Sequence, residues 1–167
     1  MYKKLIVFSV VLVLLCLVIS AYQTRAAQEI NQDKSYYNKK GLSYFNEGFY
    51  KLTPKGRSDE AAQNYNLAII EFKKAIAIND SYLEAHLNLA RVYEVQKNFR
   101  LAATEYEKAI QLNPGDIDLY VKLALALVEL NQFNQAIETL QRAKSFTTDK
   151  EIINKLNGYI EKIRQEL

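Results

Sequence analysis

The chain has 167 residues, 49% of them apolar and 25% charged, which suits one modest globular domain plus a short additional segment. The formal charge of +3 sits in residues 1–26, where Lys3, Lys4 and Arg25 face no acid; the remainder carries 19 basic and 19 acidic residues. That balance removes the electrostatic footprint of a nucleic-acid binder, and the single cysteine, Cys16, leaves no disulfide to hold a core together.

Residues 1–26 read as a leader. Met1–Lys4 is short and basic, and Leu5–Ile19 is an apolar run broken only by Ser9. Such a run fits a signal-peptide core, and extended through Tyr22 it is long enough to span a bilayer. Thr24-Arg25-Ala26 offers a small-x-small cleavage site. Two readings stay open: a signal peptide cleaved near Ala26, giving a periplasmic or secreted product, or an N-terminal hydrophobic helix anchored in the cytoplasmic membrane through residues 5–22. In both, Lys3 and Lys4 stay inside and the rest of the chain is extracytoplasmic. Cys16 follows Leu15 rather than a small residue, so it reads as apolar filler and not as a lipid-attachment site.

Residues 27–33 form a polar linker. Ser35–Tyr50 then carries Tyr36, Tyr37, Tyr44, Phe45, Phe49 and Tyr50 and reads as a first, aromatic helix. Leu52–Gly56 (LTPKG) reads as a loop. Ser58 as N-cap, with Asp59 and Glu60 at the positive end of the dipole, predicts a second helix over Ser58–Ile78. Residues 34–57 hold six cations (Lys34, Lys39, Lys40, Lys51, Lys55, Arg57) against Glu47 alone. This is either a solvated face or one drawn to anionic lipid headgroups.

Further along, Ser81 with Glu84 and Thr148 with Glu151 have the spacing of capping boxes. Asn113-Pro114-Gly115 closes a helix between them. From Leu119 to Leu130 only Lys122 and Glu129 are charged. Tyr120, Leu123, Ala124 and Leu127 make one apolar stripe, and Val121, Leu125 and Val128 make a second. A helix apolar on both sides is covered on both, either by the final helix or by a partner. That final helix, Asp149 to about Gln165, carries Ile152, Leu156, Tyr159, Ile160, Ile163 and Leu167 on one face, as a terminal cap requires.

A fixed period underlies these elements. Ala68, Ala102 and Ala136 recur every 34 residues, as do Ala75, Ala109 and Ala143; Tyr65, Phe99 and Phe133; and Phe72, Tyr106 and Leu140. Such self-similarity marks a repeat array in which no unit buries its apolar face alone. The middle unit, Leu83–Asp116, places His86, Leu89, Ala90 and Tyr93 on one helix and Phe99, Ala102, Tyr106, Ala109 and Pro114 on the next. These residues resemble the tetratricopeptide (TPR) family, with His86 where that family most often has Trp. The following unit matches with Tyr120, Leu123, Ala124, Leu127, Phe133, Ala136, Leu140 and Ala143, and has Thr148 in place of the closing proline. The first unit is degenerate: Tyr37, Gly41 and Tyr44 fit, Lys40 replaces Leu, and fifteen extra residues separate Tyr44 from Ala68.

The resemblance implies an all-α, right-handed α-solenoid of three TPR helix hairpins (34–82 with an insertion, 83–116 and 117–150) plus a capping helix over 151–167. It also implies a concave protein-binding groove lined by the first helix of each hairpin: Asn38, Leu42, Phe45, Glu84, Leu87, Asn88, Arg91, Val95, Val121, Lys122, Leu125 and Val128. The family's carboxylate clamp is matched only by Asn88 and Lys122; Asn38, Leu42 and Asp118 stand where it needs other residues, which argues against chaperone-tail binding. No Cys–His pair, phosphate-cradling glycine loop or metal-spaced cluster is present, and the one histidine, His86, lies in a core column. The sequence therefore points to a scaffold or adaptor for a protein or peptide partner, assisting assembly of a membrane or envelope complex, with no catalytic residue, cofactor, metal or nucleic-acid partner. A self-associating structural subunit is the alternative.

Overall fold

The computed structural model describes residues 15–20 and 34–166. Most of the expected leader, the cleavage site near Ala26, the linker 27–33 and Leu167 lie outside the described residues. Residues 15–20 are helical, with Leu15, Leu17, Val18 and Ile19 exposed. No helix among the described residues is long and apolar enough to cross a membrane.

Seven helices follow from residue 34: α1 (34–46), α2 (Ser58–Ile78), α3 (Leu83–Val95), α4 (Phe99–Leu112), α5 (Ile117–Glu129), α6 (Phe133–Lys144) and α7 (Lys150–Arg164). From α2 onward each packs on the next, which is the serial stacking of a solenoid, and no strand occurs among the described residues. The period-34 columns form the spine. Ala68, Ala102 and Ala136 are fully buried, as are Ala75, Ala109 and Ala143. Their small side chains let helix backbones approach, and Phe72, Tyr106 and Leu140 fill the space beside them.

The turns repeat as well. Lys97 (φ 57°) and Asn131 (φ 58°), 34 residues apart, both adopt the left-handed conformation that reverses the chain within each hairpin. In the first hairpin the matching position is Gly48, and there the chain does not turn. It continues from α1 as a π-helical segment, Glu47–Leu52, and a 3-10 turn, Thr53–Lys55, and reverses only at Gly56 (φ 69°). The expected loop over Leu52–Gly56 is therefore helical up to Lys55. Pro54 stands at the start of the 3-10 turn, where its missing N–H costs nothing. Gly56 lies eight residues beyond Gly48, and α2 has 21 residues against 14 in α4. Eight residues before the turn and seven after it account for all fifteen inserted residues, so both arms of the first hairpin are about two turns longer.

Three capping expectations are corrected. Ser58 is the first residue of α2, not its cap; Arg57 holds the cap position, and its guanidinium pairs with Glu60. The Ser81–Glu84 box does not form: α3 starts after Tyr82 without a side-chain cap, and the Ser81 N–H donates to the Asn79 side chain in a turn. At α7 the cap is Asp149, one residue after Thr148, and its carboxylate accepts from the N–H groups of Glu151 and Ile152.

Lys40, at the position where leucine is usual, joins α1 to α2 by charge. Its ammonium lies 3.2 Å from the buried carboxylate of Glu71, which Lys74 also contacts at 3.0 Å. Burial pushes the Glu71 carboxyl up, but the two lysines more than offset it and hold it below the usual carboxylate range. His86 is buried as its column requires. Nδ1 lies 2.6 Å from the Glu105 carboxylate and Nε2 lies 2.9 Å from the Asp80 carbonyl. Each ring nitrogen faces an acceptor, an arrangement satisfied in full only when the ring is protonated on both.

Candidate functional site

Between α3 and α5 lies a cleft of about 490 Å³, lined by Leu87, Asn88, Arg91, Tyr106, Asp116, Asp118, Leu119 and Lys122. The helix period explains the lining. Leu87, Asn88 and Arg91 fall on the face of α3 opposite the buried Ala85, Leu89 and Val92, while Asp118 and Lys122 are one turn apart on α5.

The cleft joins α1 through two contacts. The Asn88 side-chain N–H donates to the Asn38 carbonyl at 3.0 Å, and the Asn38 amide in turn faces the Tyr82 hydroxyl at 3.4 Å. The Arg91 guanidinium stacks over the Phe45 ring with 5.0 Å between its carbon and the ring centre. Arg91 is exposed and makes no ion pair among the described residues, so its N–H fork is open to an acceptor. Lys122, by contrast, is paired with Asp118 at 3.0 Å, and the Asp116 carboxylate is occupied in capping α5 through the Asp118 N–H. Beneath these groups the Tyr106 hydroxyl is buried with no hydrogen-bond partner. Burial first, then the charge of Glu94, pushes its titration far up, so it stays protonated.

Of the residues assigned to the groove, Leu87, Asn88, Arg91 and Lys122 come together here, and Asn38 and Phe45 are tied to them. Leu42, Val121 and Val128 are partly buried against the core. Glu84 is exposed on the first turn of α3. Val95 faces a different cleft of about 560 Å³ under the extended first hairpin, lined also by Thr53, Ala61, Tyr65 and Gln96. The second apolar stripe of α5 is only partly covered: α7 packs on α6, and Leu125 is left 55% exposed. Sequence reasoning missed Tyr106, Asp116, Asp118 and Leu119 as lining residues. Tyr106 was visible only as a core column, and its polar end carries no periodic signal.

The cleft offers a cation, amides and apolar walls. Among the described residues no three His, Cys, Asp or Glu side chains are placed to hold a metal ion.

Comparison with curated protein sequences finds no match. Solved structures match over most of the chain. The TPR2B domain of yeast Sti1, in a complex with an Hsp70 peptide, aligns with a TM-score of 0.61 at 16% identity, covering 81% of this chain and 99% of that one. The Arabidopsis OM64 TPR domain gives 0.58 at 14% identity, covering 81% and 98%. The second TPR domain of human RPAP3, bound to an HSP70 peptide, gives 0.55 at 16% identity, covering 78% and 98%. At these identities the likeness is one of fold. Two tetratricopeptide-repeat family models match the sequence itself, over residues 53–117 and 96–154. Together they span more than half of the chain, which carries the matching columns in three stacked hairpins, and the chain belongs to the tetratricopeptide-repeat family.

Proposed function

We propose that the protein is a scaffold that binds a segment of another protein along the face made by α1, α3 and α5. The observation that carries this reading is the preformed cleft with Arg91 unpaired above it. A cation held in place by the Phe45 ring, beside the Asn88–Asn38 amide pair, presents donors to the carbonyls or carboxylate of an extended peptide without reorganising. The peptide complexes of the Sti1 and RPAP3 domains support this use of the same fold. Only Asn88 and Lys122 match the family's carboxylate clamp, and Lys122 is occupied by Asp118, so a different peptide chemistry is favoured over a chaperone tail.

The apolar run at residues 5–22 favours an extracytoplasmic setting, either anchored or released after cleavage near Ala26, and with it service to a membrane or envelope complex. Self-association is the second reading, favoured by the exposure of Leu125. A pull-down with the full chain, repeated with Arg91→Glu and Leu125→Asp, separates them. Partner loss with Arg91→Glu supports the groove. A concentration-dependent assembly abolished by Leu125→Asp supports self-association. Unchanged partners in both variants would rule out the groove as drawn.

A further inference from the structure

The two ends of the solenoid differ in chemistry. The outer side of α7 is an ordinary solvated cap, where Lys155 pairs with Glu151 and Arg164 pairs with Glu161. The outer side of α1 is not. Tyr36, Lys39, Ser43, Asn46 and Tyr50 are spaced three, four, three and four, lie on one face and are all exposed. Both tyrosines are 60% exposed, and the strip holds no acid. Phe49 packs edge-on against Tyr50, and Lys51, Lys55 and Arg57 continue the strip around the tip of the extended hairpin.

From the exposed aromatics and unpaired cations of this strip we infer that the outer face of α1, with the tip of the extended first hairpin, docks on an anionic lipid surface. Tyrosine suits the interface of a bilayer, where one end of its ring is apolar and the other wet, and phenylalanine adds apolar area beside it. Lysine spans the same depth, with its stem in the apolar zone and its charge among headgroups. Charge complementarity selects the occupant. Residues 34–60, both sides of the tip included, carry six cations to three acids, whereas residues 61–167 carry 13 cations to 14 acids. Lys40 and Lys51 are paired with Glu71 and Glu47 and Arg57 with Glu60, and Lys34 lies over the Tyr82 ring; Lys39 and Lys55 have no partner among the described residues. A second copy meeting this face would bring like charge to like, and the α7 end is balanced, so neither end of another copy complements it. The face is also continuous in sequence with the apolar segment at residues 15–20, whose exposed Leu17 and Val18 lie fewer than twenty residues upstream. The inference is independent of the groove, which lies on another side of α1.

The test uses the full chain in a Cys16→Ala background. An environment-sensitive fluorophore is placed at Tyr50→Cys or, as the reference, at Asn154→Cys on α7. The protein is added to vesicles of phosphatidylcholine alone or mixed with phosphatidylserine, each containing brominated lipid as quencher. The expected result is quenching at position 50 and not at 154, dependent on phosphatidylserine and reduced by salt. Lys39→Gln and Lys55→Gln should each weaken the docking about fivefold. An unquenched label at both positions while the chain stays on the vesicle would mean that the leader only tethers a freely tumbling domain, and would overturn the inference. Equal quenching without phosphatidylserine would overturn it too. So would energy transfer between labelled copies at position 50 in the absence of lipid, which would assign the face to self-association.

Discussion

The first and second hairpins solve one packing problem in two ways. In α3–α4 the arms are short, the turn is a single left-handed residue at Lys97, and Ala90, fully buried, holds the position that matches Gly41. In α1–α2 the arms are about two turns longer, the turn is moved to Gly56, and the contact is made by Gly41, where a Cβ would lie 2.6 Å from the Phe72 ring. The lesson is that the template fixes the contact columns and leaves hairpin length free. An insertion is accommodated when it adds similar lengths to both arms, because the extra turns pair with each other. Thr53 and Tyr65 show this, with their hydroxyls 2.9 Å apart across the extension, and Leu52 and Ala61 are buried in it.

The sharpest way to break this comparison is to empty the same column in each hairpin. Phe72→Ala and Tyr106→Ala each remove a fully buried ring and should cost about 3–5 kcal/mol in chemical denaturation. Comparable losses are expected because one core runs through both hairpins. A cost near zero at Phe72 alone would mean that the first hairpin is a loose appendage. The next effect in size is at the contact itself. Gly41→Ala should destabilise by about 1–3 kcal/mol through overpacking, despite the better helix propensity of alanine. A gain in thermal stability would show that Phe72 has room to move.

A smaller effect separates the second hairpin by pH. Glu105 first, and then the Asp80 carbonyl, raise the His86 titration against the opposing pull of burial and Lys108. An unfolded histidine titrates near 6.5, so the folded value lies above that. The pair's stabilisation is complete below the unfolded value and is lost as pH rises through the folded one. NMR titration of this single histidine should give a midpoint above about 6.5 that falls in Glu105→Gln. The stability difference between wild type and Glu105→Gln should shrink from acidic to alkaline buffer. A midpoint at or below the unfolded value would show that the Glu105 contact does not hold in solution.

Much of this architecture could be read from the chain alone, because small residues at a fixed spacing have few other physical meanings. Ala102 and Ala109 are seven apart on one helix and recur 34 residues to either side; that pattern announces close helix pairs whatever the sequence between. The extension was less legible. Pro54 and Gly56 are loop signals in isolation, yet Thr53–Lys55 forms a 3-10 turn, and the Thr53 hydroxyl meets that of Tyr65 on the other arm. Helix starts were misread where a neighbour took the cap, as Asp149 did from Thr148. The cleft was half legible: position on the helix placed Leu87, Asn88, Arg91 and Lys122, and the Asp118–Lys122 pair is a one-turn spacing on α5, whereas the burial of the Tyr106 hydroxyl and the stacking of Arg91 on Phe45 depend on where the helices meet.

The most direct test of the central claim, that three hairpins cut to one template stack into one core with the insertion riding on the first, is to excise residues 49–63. The excision removes fifteen residues and joins Gly48 to Asn64 and Tyr65, aligned with Lys97, Asn98 and Phe99 and with Asn131, Gln132 and Phe133. Circular dichroism with urea unfolding should show a helical protein that still melts in a single cooperative transition, weakened by the loss of Leu52, Ala61, the Phe45–Phe49 stack and the Thr53–Tyr65 contact. An unfolded chain, or separate transitions for the first hairpin and the rest, would contradict it.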